Sequence, residues 1–130
     1  MNGNEYQKLA MVTNDGKCTT RLIDAVGKFG LPFNDFCCDI GDVINACLGL
    51  AGEAGEVNDM VKKWIFHEKP LDEEHLKKEC GDVLWYCALL CHAFDWNLDE
   101  IMQMNIDKLK NRYPKGFDIN KANNRKDDDV

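Results

Sequence analysis

Two apolar stripes of helical period occupy the middle of this 130-residue chain. In the first, over residues 41–66, the gaps alternate between four and three positions through Val43, Cys47, Leu50, Ala54, Val57, Val61 and Trp64. The second, over residues 72–94, runs through Leu76, Cys80, Val83, Cys87, Leu90 and Phe94. This period predicts two long helices. Because the connection between them is short and contains Pro70, they are expected to pack antiparallel.

The flanking segments also predict helices and no strands. Helices are expected over residues 4–12 and 19–28, and another from Leu98 to about Lys110, ended by Pro114 and Gly116. The predicted fold is therefore all-α, an antiparallel helical bundle with two long central helices, in a single domain over residues 1–118. The polar tail, residues 119–130, is predicted to be disordered. Residues 15–40 are irregular, and their structure and role stay open.

Composition narrows the functional classes. The net charge of −7 disfavours a nonspecific nucleic-acid binder, which usually carries a basic excess. No apolar run approaches the ~20 residues that span a bilayer, and the N-terminus lacks a secretory signal, so a cytoplasmic protein without a membrane partner is expected. Seven cysteines, an odd number with no CxxC pair, favour reduced, buried thiols. A Cys/His zinc site is the alternative, but adjacent Cys37 and Cys38 lack ligand spacing.

Each long helix carries a pair of carboxylates spaced three residues apart. Glu53 and Glu56 lie in "GLAGEAGEV", and Glu79 and Asp82 lie in "KKECGDVLWY". This spacing puts both acids of a pair on nearly the same helix face, so antiparallel packing brings all four together. Glycines at 49, 52 and 55 cost helix stability, but they remove bulk where a helix or a ligand approaches.

Four acids converging in a helical interior need raised pKa values or cations between them. Hard divalent ions with oxygen ligands suit such a site, and Mg²⁺ is typically held by carboxylates together with substrate phosphates. Two ordinary solvated acidic pairs are the simpler alternative. A di-iron carboxylate site is a further one, but in neither pair does a histidine stand three residues after a glutamate.

The motifs "LGLAGEAGEVNDMVKK", "LKKECGDVLWYCALL" and "NIDKLKNRYPKGF" resemble the MazG-like nucleotide pyrophosphohydrolases of the all-α NTP pyrophosphatase superfamily. The resemblance covers about residues 4–118. It implies Mg²⁺, with Mn²⁺ as a substitute, held by Glu53, Glu56, Glu79 and Asp82, which are also the catalytic residues. It implies hydrolysis of a nucleoside triphosphate, a deoxynucleotide above all, between the α and β phosphates. It further implies a homodimer or homotetramer.

Substrate contacts are expected from lysines and aromatic residues. Lys63 lies on nearly the same helix face as Glu56, where it would meet phosphates. By resemblance, phosphate or sugar contacts are expected from Asn105, Lys108, Arg112 and Tyr113. Trp64 and Tyr86 are candidates for stacking on the base, with core packing as the alternative role.

Two other functions compete with the enzyme. One is a catalytically silent helical oligomerisation module, and the other is the di-iron protein. The presence of all four acids disfavours the first, and the histidine spacing disfavours the second. The base and sugar preference, the number of metal ions and the identity of the general base stay open, although a glutamate of the first pair is favoured.

Overall fold

The computed structural model describes residues 2–29 and 39–125. Over these residues the chain forms helices and no strand, which confirms the all-α class. The helices are α1 (Gly3–Ala10), α2 (Cys18–Phe29), α3 (Ile40–Phe66), α4 (Glu73–Ala93), α5 (Leu98–Arg112) and α6 (Ile119–Asn123). A 3₁₀ turn, Met11–Thr13, follows α1. No helix in these two ranges is long and apolar enough to cross a bilayer.

The two longest helices, α3 and α4, form an antiparallel hairpin. The backbone N–H of Asp39, just before α3, donates to the carbonyl of Ala93 at the end of α4. Further along α3, Gly49 lies against the ring of Tyr86 on α4. Residue numbers thus rise along one helix as they fall along its neighbour, which confirms the predicted packing. At 1.5 Å per residue the helices are about 40 and 30 Å long.

Side-chain caps set the starts of these helices. Asp39 accepts a hydrogen bond from the N–H of Asp42 at 3.2 Å, and Asp72 accepts one from the N–H of His75 at 2.9 Å. Such caps satisfy backbone donors that have no partner inside the helix. Asp72 is therefore the N-cap of α4, which begins at Glu73.

Few side chains are buried in the described chain. They are Ala46, Cys91, Ala93 and Glu79. Large apolar side chains on α3 and α4 are exposed: Ile44, Leu48, Trp64, Ile65, Phe66, Leu84 and Trp85. A single hairpin covers only one face of each helix, so the opposite faces stay open to solvent.

The cysteines follow the same pattern. Cys18, Cys47 and Cys80 are free and exposed, so the prediction of buried thiols is wrong for these three. Cys91 is buried as predicted, and Cys87 is half-buried. The apolar period of a helix indicates which residues share a face, but it does not say whether another helix covers that face. The remaining pair, residues 37 and 38, lies outside the described residues.

The C-terminal part differs in detail from its prediction. Helix α5 extends to Arg112, and α6 occupies part of the segment predicted to be disordered, with Asp118 as its N-cap. Residues 126–130 of that segment, and residues 30–38 of the irregular segment, lie outside the described residues. The chain falls into two compact units, one up to Phe94 and one from Asp95 onward. A single domain over residues 1–118 stays a prediction.

Candidate functional site

Three carboxylates from α3 and α4 converge. One carboxylate oxygen each of Glu53, Glu56 and Glu79 lies within 4.8 Å of the other two. Glu79 is buried, Glu53 is half-buried and Glu56 is exposed. The spacing of three residues turns both α3 glutamates toward α4, and the antiparallel register brings Glu79 to the same level. We call these three residues the acidic cluster.

One member of the acidic cluster, Glu53, has a raised pKa. Partial burial is the main cause that lifts the pKa of the Glu53 carboxyl above its usual range. The negative charges of Glu56, Asp82 and Glu79 add to this effect, in that order. Asp82 is exposed and lies outside the set of three converging oxygens, yet its charge acts on Glu53. The four acids predicted from sequence are therefore electrostatically coupled through one carboxyl group.

His75 belongs to this site, although it was not identified as a site residue from sequence. It lies in the first turn of α4, and its Nε2 is 2.6 Å from Oε1 of Glu79. The ring thereby holds the carboxylate of the most buried acid in place. The spacing of four residues along a helix was the signal that could have revealed this pair.

A cavity of about 490 Å³ opens beside the acidic cluster. It lies among the second half of α3, the connection and the start of α4. Its lining consists of Gly52, Gly55, Glu56, Asp59, Met60, Lys63, Lys69, Pro70, Leu71, Asp72, His75 and Glu79. The cavity therefore brings together two acids of the cluster and two lysines, and one of these is Lys63, whose contact with phosphate stays a prediction. Trp64 and Tyr86 are not part of this lining.

Asp59 holds Lys63 at the cavity wall. The ammonium groups of Lys62 and Lys63 lie 2.6 and 2.5 Å from the two carboxylate oxygens of Asp59. Hydrogen bonds from these two lysines lower the pKa of Asp59 to about 2. Asp59 is thus a carboxylate at any physiological pH. It was not identified from sequence, although its i,i+4 spacing to Lys63 is a typical ion-pair signal.

Tyr86 packs between the two helices. Its ring lies against the backbone of Gly49 and makes an edge-to-face contact with Trp85, with ring centroids 5.0 Å apart. Trp64 is about half exposed near the end of α3. Tyr86 is thus placed in the core-packing role that was the alternative to base stacking, and a contact of either residue with a nucleobase stays a prediction.

The other predicted substrate residues lie in the second unit. Asn105 and Lys108 line one surface groove on α5, together with Trp96, Glu100, Ile101 and Met104. At the end of α5 the Arg112 guanidinium lies 6.0 Å from the ring centroid of Tyr113. The Tyr113 ring in turn contacts Phe117. Within this unit the four residues thus form two local groups, one in the groove and one at the helix end.

The donor set of the acidic cluster suits a hard divalent cation. It consists of carboxylate oxygens, which are the ligands that Mg²⁺ and Mn²⁺ prefer. Over residues 2–29 and 39–125, no lysine or arginine pairs with Glu53, Glu56 or Glu79. A charged cluster of this kind is compensated most directly by a bound cation.

The comparison with known proteins decides the family. A family model for the MazG nucleotide pyrophosphohydrolase domain matches residues 40–117, which is more than half of the chain. The chain belongs to this family. Its MazG domain includes α3, α4 and α5, and therefore the acidic cluster. Membership implies a pyrophosphohydrolase, a hydrolase that acts on acid anhydrides, and MazG enzymes are generally dependent on divalent metals.

One curated protein is also similar to this chain. The "Gene 37 protein" of Mycobacterium phage L5 is 33% identical over 93 residues. The aligned region covers 68% of this chain and 82% of the phage protein. No solved structure matches the chain significantly. The family, rather than the name of the relative, therefore carries the functional argument.

Proposed function

We propose that the protein hydrolyses nucleoside triphosphates, with deoxynucleotides as the preferred class, in a Mg²⁺-dependent reaction. Cleavage between the α and β phosphates would give the monophosphate and pyrophosphate. The observation that carries the proposal is the convergence of Glu53, Glu56 and Glu79 beside a lysine-lined cavity. Membership in the MazG family supports it.

Glu53, Glu56, Glu79 and Asp82 would hold Mg²⁺, and Mn²⁺ would substitute for it because it prefers the same oxygen ligands. The ion would neutralise charge that develops on the phosphate oxygens. In the reaction, a water oxygen bonds to the α phosphorus while the bond to the α–β bridging oxygen breaks. A carboxylate of the α3 pair, Glu53 or Glu56, accepts the proton of this water, since both converge with Glu79 at the proposed metal site.

Substrate contacts are proposed for the residues that the sequence indicates. Lys63 would contact phosphates from the cavity wall. Asn105, Lys108, Arg112 and Tyr113 would contact phosphate or sugar, and Trp64 and Tyr86 are the candidates for base contacts.

The exposed apolar side chains of α3 and α4 support a homodimer or homotetramer, because monomers rarely expose so many on adjoining helices. No nucleic-acid or membrane partner is proposed, and a cytoplasmic location stays a prediction.

A product assay tests the reaction. The protein is incubated with Mg²⁺ and a panel of NTPs and dNTPs, and the products are separated by ion-exchange chromatography. We expect a nucleoside monophosphate and pyrophosphate in equal amounts, with faster turnover of at least one dNTP. Release of orthophosphate would place the cleaved bond elsewhere. A lack of turnover for every triphosphate, with metal present, would favour the silent oligomerisation module, and bound iron would favour the di-iron protein.

The raised pKa of Glu53 predicts that Glu53→Gln changes thermal stability in one direction without metal and in the other with Mg²⁺. A pKa that is higher in the folded than in the unfolded protein means that folding is disfavoured once pH rises through it. Glu53→Gln should therefore raise the Tm of the protein in EDTA at about pH 8. This pH is well above the usual pKa of a glutamate, so the wild-type carboxyl is ionised. This advantage should shrink as pH falls through the raised pKa, because the wild-type carboxyl then becomes neutral.

Adding Mg²⁺ should reverse the order of the two Tm values. Wild type would gain stability from a ligand that binds only the folded state, and the variant would gain less. Thermal unfolding followed by circular dichroism measures the Tm of wild type and of Glu53→Gln, each in EDTA and in Mg²⁺. Glu73→Gln, which changes an exposed acid of α4 outside the cluster, is the matched control and should show no reversal. An unchanged order with Mg²⁺ would contradict a role of Glu53 in metal binding.

A further inference from the structure

The cavity beside the acidic cluster has a cationic part that the proposed metal site does not use. Lys63 and Lys69 both line it, together with the carboxylates of Glu56, Asp59, Asp72 and Glu79. Phosphate oxygens attract ammonium groups and are repelled by carboxylates, so the lining offers two different environments to a polyphosphate chain. Lys69 comes from the connection between α3 and α4, which contains none of the four acids predicted to bind the metal.

The backbone brings the two lysines together. The carbonyl of Lys63 accepts hydrogen bonds from the N–H of His67 at 3.1 Å and from the N–H of Lys69 at 3.2 Å. Between them Glu68 adopts a left-handed conformation, with φ of 52°, which turns the chain back at the end of α3. Lys69 is therefore tied to the last turn of α3 and does not depend on a freely moving loop.

The two lysines differ in their electrostatic partners. Lys63 is held by Asp59, whose carboxylate it shares with Lys62. Among the described residues, Lys69 forms no ion pair with an acid. The cavity thus contains one cation fixed in position and one whose charge is available to an anion. An anionic group between them would receive charge-assisted hydrogen bonds from both.

We propose that Lys63 and Lys69 form the binding site for the β and γ phosphates, the part of the substrate that leaves as pyrophosphate. This inference rests on the proposed function and names the residues that bind the leaving group. When the α–β bond breaks, negative charge develops on the departing pyrophosphate, and fixed cations stabilise that charge. The site therefore selects for a chain of at least two phosphates beyond the α position.

Binding of inorganic pyrophosphate tests this site without turnover. Titration calorimetry with pyrophosphate at a fixed Mg²⁺ concentration is expected to show binding to wild type. Lys69→Gln should weaken that binding about tenfold, the typical effect of losing one charge-assisted hydrogen bond. Binding of the nucleoside monophosphate should change little. The control is Lys77→Gln, which removes an exposed lysine that pairs with Glu74 outside the cavity, and it should bind pyrophosphate like wild type.

The possible results separate the two proposals. Pyrophosphate binding that is equal in wild type and Lys69→Gln would overturn the inference. So would an absence of pyrophosphate binding in a protein that hydrolyses triphosphates, and the proposed function would then stand. Binding that depends on Lys69 in a protein without turnover would support the site and overturn the proposed reaction. Circular dichroism of Lys69→Gln confirms that a loss of binding does not reflect unfolding.

Discussion

Replacing Glu79 with glutamine is expected to lower triphosphate turnover about a thousandfold or more while the fold persists. Glu79 is the buried member of the acidic cluster and the one that α4 contributes. Glutamine keeps the size of the side chain but carries no charge, so the acidic cluster of the variant would bind a divalent cation poorly. The variant should also lose one repulsive contact with Glu53, so its Tm in EDTA should not fall. Steady-state pyrophosphate release and thermal unfolding measure the two effects.

Glu74→Gln is the matched control, because it makes the same chemical change on the same helix. Glu74 is exposed and pairs with Lys77 at 2.6 Å, away from the acidic cluster. Its variant should keep near-wild-type turnover. Glu53→Gln and Asp82→Asn are also expected to abolish turnover. Full activity in Glu79→Gln would exclude the proposed metal site, whereas full activity in Asp82→Asn alone would reduce the site to the three converging acids.

The helices and their acids could be predicted because both follow from periodicity. A repeat of four and three residues fixes which side chains share a face, and the short connection forces α3 and α4 to run antiparallel. These two facts place Glu53 and Glu56 opposite Glu79 without any knowledge of coordinates. Periodicity does not say how deeply a side chain is buried, so it did not decide between base stacking and core packing for Tyr86.

The cationic part of the cavity could not be predicted in this way. Lys69 lines the same cavity as Lys63 because the chain turns at Glu68, whose left-handed backbone conformation is uncommon for a residue other than glycine and has no clear sequence signal. His75 is a different case, because it lies inside the helix predicted over residues 72–94, four residues before Glu79, and this pair could have been found from sequence. Lys69 alone depends on the turn between the helices.

Alanine at two glycines of α3 is expected to change stability in opposite directions. A Cβ at Gly49 would overlap the ring of Tyr86, whereas a Cβ at Gly52 would meet no atom within 4 Å. Each substitution gains about 1 kcal/mol of helix propensity, so the difference between the variants isolates the overlap. Inserting a methyl group into a packed contact costs about 1–3 kcal/mol. Gly52→Ala should therefore raise the Tm, and the free energy of unfolding of Gly49→Ala should lie about 1–3 kcal/mol below that of Gly52→Ala.

A second substitution and a kinetic measurement separate the roles of these glycines. If Tyr86 causes the cost at Gly49, then Tyr86→Ala should suppress it, and the double variant should be more stable than additivity predicts. Gly52 lines the cavity, so its alanine variant should combine a higher Tm with a higher KM for the triphosphate. An unchanged KM would mean that the phosphates do not approach α3 at this point. Equal Tm shifts at both positions would mean that the Tyr86 ring moves aside at little cost, and the close contact of α3 with α4 would then not require glycine.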